Sequence, residues 1–273
     1  MTGSRVPAAG RLPDLRVIPS AALLPHEASD PARVERLLRS FADEGVLRNP
    51  PVAAPLDGGS YVVLDGANRV TALAQAGYPD QVVQVVDADQ PWVILEVWAH
   101  LLVEDVLPTP GPLWRRLSAE AVRAGLDDGT LACGVVTDAD ARGLAAPPDL
   151  AGRVAAIAGV VSAYQRRAPF YRVQPNGLDV LRREYGRVGA LVLFPRLRKA
   201  EIRAIAHLPV KLPSGISRFI VHNRALRINV DLALLQSRVS LGAKQAQLDD
   251  LIRSRLAAHR VRAYPESTVL FDD

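Results

Sequence analysis

The chain of 273 residues is poor in cysteine and has no long apolar runs. Its single cysteine, Cys133, cannot form an internal disulfide, which excludes a disulfide-rich secreted scaffold. No Cys/His cluster suggests zinc. The sequence lacks an apolar run of about 18 residues, and its N-terminus lacks the apolar core of a signal peptide. We therefore expect a cytoplasmic protein with no membrane span.

Aromatic residues are also scarce, at 5% of the chain, so alanine, valine and leucine must fill the core. The 33 basic and 29 acidic residues give a formal net charge of +4. Arginine is scattered rather than gathered into one stripe, so nucleic acid is not the expected partner. The short basic clusters at 166–167 and 196–199 are either solvated faces or compatible with an anionic ligand such as a nucleotide. The oligomeric state stays open.

The first part of the chain alternates strand and helix patterns. Residues 1–14 lack periodicity and are predicted to be a flexible tail. Asp30 is a suitable N-cap for a helix that begins at Pro31. The predicted elements are a strand at 15–24, this first helix, a hairpin around 57–59, a helix at 67–76 and a strand at 81–86. These elements predict a compact unit at 15–106.

In the second part of the chain, 107–273, residues 107–148 have a less regular pattern. Proline-rich segments at 108–112 and 146–149 predict breaks. Further predicted elements are a helix at 150–166, strands at 189–194, 217–221 and 226–230, a helix at 243–259 and an edge strand at 268–271. The predicted fold class is α+β, with an N-terminal unit and a C-terminal α+β lobe that form a cleft.

The strongest local signal is YVVLDGANR at 61–69, where an apolar strand runs into an Asp-Gly turn that opens a helix. The first turn of a helix favours phosphate because its backbone N–H groups are free. Gly66 permits close approach of the backbone, while Asn68 and Arg69 supply hydrogen-bond donors. Asp65 can help to position Mg²⁺. The alternative is an ordinary strand–turn–helix in which Asp65 caps the helix.

This turn, with the strand, helix and hairpin before it, resembles the ParB/sulfiredoxin-like superfamily, whose members hold phosphates or a nucleotide there. The chain is similar over more of its length to one branch, the free L-serine kinases, which include the staphyloferrin B siderophore-pathway kinase. The similar segments are LLPHE at 23–27, VLDGANR at 63–69, VWAH at 97–100, LPSGISRF at 212–219, VDLALL at 230–235 and RAYPESTVLF at 262–271. Their order and rough spacing agree from residue 15 onward.

The resemblance makes Glu27 the candidate general base. The hydroxyl of serine is a poor nucleophile until its proton is removed during attack. In the free serine kinases the glutamate after Pro-His has this role, and Glu27 occupies the matching position. Without the resemblance, Glu27 would be an ordinary surface glutamate at a strand end.

The resemblance also implies an amino-acid pocket. It assigns Trp98 to this pocket and, less directly, His100, although a lone Trp or His in an apolar segment is more often structural. Arg218 can form a bidentate pair with the carboxylate of a free amino acid. Ser217 keeps the hydroxyl that threonine often supplies in these kinases. The alternative for Arg218 is an exposed arginine at the start of a strand.

Two features depart from the superfamily pattern. The turn usually reads Asp-Gly-x-His-Arg, but Asn68 replaces the histidine. Asparagine still donates to a phosphate oxygen but cannot become positively charged, which puts the turnover rate or the preferred donor in question. Cys133 has no basic or cysteine partner nearby in the sequence, so the chemistry of sulfiredoxin, which needs a reactive cysteine, is not expected.

Taken together, these features predict a kinase that transfers phosphate from ATP or ADP, with Mg²⁺, to the hydroxyl of free L-serine. The N-terminal unit would contribute Glu27 and the phosphate turn, and the C-terminal lobe would contribute Ser217 and Arg218. A related hydroxy amino acid remains possible as the acceptor. One alternative is a ParB-like regulator that binds nucleotide or DNA, although 107–148 shows no helix-turn-helix pattern. Another is a kinase fold that has lost its activity.

Overall fold

The computed structural model describes residues 12–104, 107 and 111–263. Most of the predicted tail, residues 108–110 of the predicted linker and the predicted edge strand at 268–271 lie outside these residues. Within them the predicted α+β class is confirmed, with fifteen strands and eight helices numbered here in chain order. No helix in this part of the chain is long and apolar enough to cross a membrane.

The described chain forms two compact units that interleave along the sequence. The first unit contains the residues up to Leu24, Pro31–Ile94 and the residues from Ile220 onward, and the second contains Pro25–Asp30 and Leu95–Phe219. The sequence pattern predicts a single division, at residue 107. In the structure, the short segment that holds Glu27 groups with the second unit, and the chain after Phe219 groups with the first.

The first unit is built on a five-stranded sheet. The five strands of this sheet are β1 (Asp14–Pro19), β2 (Leu23–Pro25), β4 (Val52–Pro55), β5 (Tyr61–Asp65) and β6 (Asp80–Val85). The unit also contains two short strands, β3 (Val46–Leu47) and β15 (Val230–Asp231). Its helices are α1 (Pro31–Glu44), α2 (Ala67–Gln75), α7 (Leu232–Gln236) and α8 (Leu241–Ala257). The sheet order is β1-β6-β4-β5-β2, with β6 antiparallel to β1 and parallel to β4. The short strands β3 and β15 pair separately.

Local sequence explains the ends of several elements in the first unit. Pro31 begins α1, where its missing N–H is not needed. Gly45 follows the helix in a left-handed conformation, and its N–H donates to the carbonyl of Phe41. The predicted hairpin joins β4 to β5. Phe41 of α1, Leu73 of α2 and Leu248 of α8 then pack in one apolar core, which anchors α2 behind the Asp-Gly turn.

The second unit is built on a six-stranded sheet. Its strands are β8 (Ala99–Leu102), β9 (Trp114–Leu117), β10 (Leu131–Val136), β11 (Ala141–Ala145), β12 (Phe170–Val173) and β13 (Ala190–Leu193), and its helices are α3 (Ala119–Asp127), α4 (Leu150–Tyr164), α5 (Leu178–Tyr185) and α6 (Lys199–His207). The sheet order is β12-β8-β13-β10-β11-β9, and these neighbours are antiparallel. Strands β7 (Val93–Val97) and β14 (Ser217–Val221) pair with each other, and the chain passes between the units within both.

The described residues of 107–148, the segment predicted to be less regular, contain β9, α3, β10 and β11. Gly134 of β10 allows α3 to pack closely on the sheet, because a Cβ there would lie 2.2 Å from Cγ1 of Val122. The strand β9 and the hairpin of β10 and β11 belong to one sheet, and α3 packs on that sheet. The described part of this segment therefore contains no helix-turn-helix of the kind that the DNA-binding alternative requires.

Candidate active site

Backbone pairing fixes Glu27 beside the Pro-Ser-Gly turn of the second unit. Glu27 and Leu212 form an isolated parallel bridge. The N–H of Ala28 donates to the carbonyl of Leu212 at 2.7 Å, and the N–H of Leu212 donates to the carbonyl of His26 at 3.0 Å. The glutamate backbone is therefore held on both sides, and its side chain reaches the residues that follow the turn.

The Glu27 carboxylate accepts four hydrogen bonds, three of them from consecutive backbone amides. Oε2 accepts from the N–H of Gly215 at 2.9 Å. Oε1 accepts from the N–H of Ile216 at 3.1 Å, from the N–H of Ser217 at 2.7 Å and from the Ser217 hydroxyl at 2.7 Å. Because a carboxylate oxygen has about two lone-pair sites, Oε1 is fully used and Oε2 retains acceptor capacity. The second oxygen is thus the one suited to take a proton.

The hydroxyl of Ser217 lies between Glu27 and a buried histidine. Its Oγ donates to Glu27 and lies 2.6 Å from Nε2 of His26. Since the hydroxyl donates its one hydrogen to the carboxylate, it must accept at the second contact, which places the hydrogen on Nε2 of His26. The His26 ring packs edge-on against Phe219, with centroids 5.9 Å apart. Ser217 was predicted from the sequence, whereas His26 was not.

Gly215 lies in the loop at 215–217, whose amides bind Glu27, and glycine is required there because the loop packs against Arg172 and His100. Its φ is +84°, and an added Cβ would lie 1.9 Å from Nε of Arg172. The Gly215 carbonyl lies 3.2 Å from Nε2 of His100, whose Nδ1 lies 2.6 Å from the Tyr164 hydroxyl. His100 is fully buried. Its contacts favour a role in holding the loop that carries the amides, and direct contact with a substrate stays a prediction.

Arg218 and Trp98, two residues assigned by the resemblance to the amino-acid pocket, lie together in the second unit. The guanidinium carbon of Arg218 lies 4.4 Å from the centroid of the Trp98 ring. Arg218 also pairs with Glu96, with Nη1 3.2 Å from Oε2, and about a third of each side chain is exposed. A pair this exposed is weak, so a free carboxylate can compete for the guanidinium. The Trp98 ring below the guanidinium restricts the positions that this group can take.

The predicted phosphate turn lies in the first unit, between β5 and α2. Gly66 has φ +93° as the N-cap of α2, and Asn68 is half-buried in the first turn of the helix. Nη1 of Arg69 donates to the carbonyls of Asn49 and Pro50, at 2.5 and 3.3 Å. The Arg69 side chain therefore also ties this turn to the loop before β4.

A second arginine, which sequence reasoning missed, meets the same turn. Nη2 of Arg69 and Nη2 of Arg224 each donate to Oδ2 of Asp65 at 2.9 Å. Desolvation raises the pKa of Asp65, but the two guanidinium charges outweigh it and hold that pKa below its usual range. No local spacing pattern connects Arg224 to Asp65, because they are 159 residues apart in the chain.

Metal binding was predicted for Asp65. Among the described residues, no group of three or more His, Cys, Asp or Glu side chains is arranged to hold a metal ion. Asp65 alone offers one carboxylate, whose Oδ1 makes no hydrogen bond to a described residue. A single carboxylate fits Mg²⁺ that is bound chiefly by substrate phosphates and water.

Cys133 lies in β10 and is fully buried. Burial raises the pKa of its thiol, so the reactive thiolate is disfavoured. Such a cysteine fills space in the core and is unsuited to nucleophilic chemistry.

Comparison with known proteins gives relatives of one kind, although no protein-family model matches the chain. The chain is homologous to the ATP-dependent L-serine kinase SbnI of Staphylococcus aureus, at 24% identity over 225 residues, which is 81% of this chain and 84% of the relative. An ATP-dependent L-serine kinase of Staphylothermus marinus is 31% identical over 85 residues, 31% of this chain and 34% of the relative.

Solved structures share the fold. C-terminally truncated SbnI has a TM-score of 0.69 at 19% identity, covering 89% of this chain and 97% of that one. A free serine kinase in complex with AMP has a TM-score of 0.68 at 16% identity, covering 85% of this chain and 98% of that one. Structures of ParB from Caulobacter crescentus and sulfiredoxin from Arabidopsis thaliana each match 28% of this chain with a TM-score of 0.25, which is too low to show a shared fold.

Proposed function

We propose that this homologue of ATP-dependent L-serine kinases transfers the terminal phosphoryl group of ATP to the hydroxyl of free L-serine, giving O-phospho-L-serine and ADP. The observation that carries the proposal is the match to SbnI over most of both chains. The geometry around Glu27 supports it, because that arrangement suits the activation of a hydroxyl. ATP is favoured over ADP as the donor, since both curated relatives are described as ATP-dependent.

Glu27 acts as the general base in this proposal. Oε2 accepts the proton of the serine hydroxyl as the oxygen attacks the terminal phosphorus. The amides of residues 215–217 and the Ser217 hydroxyl keep the carboxylate in one orientation before and after proton transfer. A base that needs no rearrangement at the moment of reaction contributes through positioning.

Arg218 binds the α-carboxylate of serine in exchange for its exposed pair with Glu96. Trp98 supports the plane of the guanidinium, which presents two parallel N–H donors to a carboxylate. Ser217 contributes through its bond to Glu27. His100 belongs to this set as a residue that supports the loop at Gly215.

The nucleotide phosphates bind at the turn formed by Asp65, Gly66, Asn68 and Arg69. The first-turn amides of α2 and the neighbouring guanidinium provide the positive potential that phosphate requires. Asp65 would hold Mg²⁺, which supplies neutralisation of the phosphate charge when bound. Cytoplasmic localisation and the absence of nucleic acid as a partner belong to the proposal, because neither substrate requires another compartment or a polymer.

Phosphorus NMR of the purified protein tests this function. With ATP, Mg²⁺ and L-serine, we expect stoichiometric formation of O-phospho-L-serine and ADP. Parallel samples replace ATP by ADP, or serine by threonine, homoserine or serine amide. Loss of product in the Glu27→Gln variant is the control for catalysis by this site. Hydrolysis of ATP with no phosphoserine, or faster transfer to another hydroxy amino acid, would contradict the assigned acceptor.

A further inference from the structure

The loop that carries Arg224 has an unusual and well-supported backbone. Asn223, Arg227 and Asn229 all have positive φ, at 58°, 53° and 46°. Left-handed conformations are uncommon for residues other than glycine and persist where surrounding structure enforces them. The backbone N–H of Arg227 donates to Oδ1 of Asn49 at 2.8 Å, which ties the loop to the segment before β4.

Gln84 fixes the backbone on both sides of Arg224. This buried residue of β6 donates from Nε2 to the Asn223 carbonyl at 3.0 Å and accepts at Oε1 from the N–H of Ala225 at 2.9 Å. Both ends of one side-chain amide are thereby used on the two neighbours of a single residue. A buried amide with this arrangement holds Arg224 in a set position on the first unit.

In this position, Arg224 contacts the carboxylate of Asp65, which Arg69 also contacts. Two guanidinium groups donate to the same oxygen of Asp65, so the three side chains carry a net charge of +1. Among the described residues, Arg224 donates to Asp65 alone, and its buried Nε–H has no hydrogen-bond partner. Arg69, by contrast, also donates to two backbone carbonyls. Arg224 therefore has donors available for an anion beside the turn.

We infer that Arg224 is a second phosphate-binding arginine of the nucleotide site, and that Gln84 is its positioning residue. The inference rests on the proposed function, because it assigns the anion as the phosphates of the nucleoside triphosphate. In this arrangement Arg69 chiefly shapes the turn, and Arg224 presents its free N–H groups to the phosphate oxygens. Asp65 balances one of the two positive charges and keeps both guanidinium groups in place.

Isothermal titration calorimetry with ATP, ADP and adenosine tests this role. Arg224→Ala is expected to weaken the binding of ATP and ADP by about 10- to 100-fold, which is the loss of charge-assisted hydrogen bonds, and to leave adenosine binding within about twofold. Arg224→Lys retains the charge without the planar fork and is expected to recover part of the loss. Arg227→Ala is the matched control, since it removes an exposed positive charge from the same loop.

Gln84→Met tests the positioning role, because it keeps the length of the side chain without adding a charge and removes both hydrogen bonds that hold the backbone beside Arg224. We expect weaker ATP binding with little change in adenosine binding. Equal weakening by Arg227→Ala, or equal loss of ATP and adenosine binding in the Arg224 variants, would overturn the inference in favour of general charge or a purely structural pair. ATP binding by the native chain without serine phosphorylation would contradict the proposed function and leave the Arg224 comparison intact.

Discussion

The single residue on which the proposed chemistry depends most is Glu27. We expect Glu27→Gln to lower kcat on the order of 100- to 10,000-fold, because an amide cannot take the proton of serine. Glutamine has the same shape and keeps one oxygen for the Ile216 and Ser217 amides now bound to Oε1, whereas its NH2 group faces the N–H of Gly215 and loses that one hydrogen bond. Rate assays and ATP calorimetry check this, and near-native turnover would remove Glu27 from the mechanism.

Arg218 is predicted to discriminate between serine and serine amide. Without the guanidinium, the α-carboxylate loses its anchor and the hydroxyl is misplaced, so Arg218→Ala should lower kcat/KM for serine far more than it weakens ATP binding. The native enzyme should use serine amide poorly, and the variant should discriminate less between the two acceptors. Measuring kcat/KM for both acceptors in both proteins tests the role. An undiminished preference for serine in the variant would exclude Arg218 as the carboxylate anchor.

Site residues that lie in segments similar to known kinases were predicted from the sequence. Residues that reach the site only through tertiary contacts were not. Glu27 and Ser217 were candidates through similarity, and the structure joins them by a hydrogen bond of 2.7 Å across 190 residues of sequence. Arg224 and Gln84 were missed because nothing in their neighbours indicates a contact. Such contacts depend on tertiary packing, which a local pattern does not contain.

Among the elements, the strand–turn–helix around Gly66 makes a prediction that a matched glycine controls. Gly66 and Gly58 both have positive φ, at 93° and 72°, so alanine at either position costs about 1–2 kcal/mol of backbone strain. An added Cβ meets nothing within 4 Å at Gly58, but at Gly66 it would lie 2.9 Å from Nη2 of Arg69 and 3.0 Å from Cβ of Pro51.

We therefore expect Gly66→Ala to destabilise the protein more than Gly58→Ala and to weaken ATP binding, whereas Gly58→Ala leaves ATP binding unchanged. Urea denaturation gives the free energy of unfolding for each variant, and calorimetry gives the affinity. Equal destabilisation with native ATP affinity in both would show that the close packing of Arg69 on this turn is unimportant.

Elements with complete local signals were predicted close to their observed bounds. The helix expected at 150–166 is α4, Leu150–Tyr164, and the helix expected at 243–259 is α8, Leu241–Ala257. The strand expected at 226–230 is wrong for most of its length, because the left-handed residues Arg227 and Asn229 interrupt it and only Val230–Asp231 forms β15. Ile228 in the loop and Val230 in β15 pack in the core of the first unit, while Leu226 is exposed, and periodicity alone cannot distinguish this pattern from a strand.

For the whole molecule, the interleaved chain explains why the division into units was hard to read from sequence. Linker composition marks a break between consecutive segments, but each unit here combines segments that are distant in sequence. Residues 220–263 complete the first unit through α7 and α8, whose Leu235 and Leu248 join its core. An arrangement of this kind depends on contacts over long sequence separations.

One buried histidine, His100, should make the free energy of unfolding of the whole molecule depend on pH. Burial, assisted by the charge of Arg172 and opposed by the bond to the Gly215 carbonyl, lowers the pKa of His100 from 6.5 to about 4. The unfolded chain therefore binds a proton at this residue below pH 6.5, and the folded chain does not do so until about pH 4. Protonation of the unfolded state should lower the free energy of unfolding across this window, by about 3 kcal/mol in total.

The test compares His100→Gln with native protein in urea denaturation between pH 7 and pH 4.5, with the exposed His222→Gln as control. The His100 variant should be less stable at pH 7, because it loses buried hydrogen bonds, but this difference should shrink as the pH falls through the window. The slope attributable to one residue cannot exceed about 1.4 kcal/mol per pH unit, so a steeper convergence would implicate further groups. A difference that stays constant with pH would show that His100 titrates alike in the folded and unfolded chain, and that burial does not hold its ring neutral.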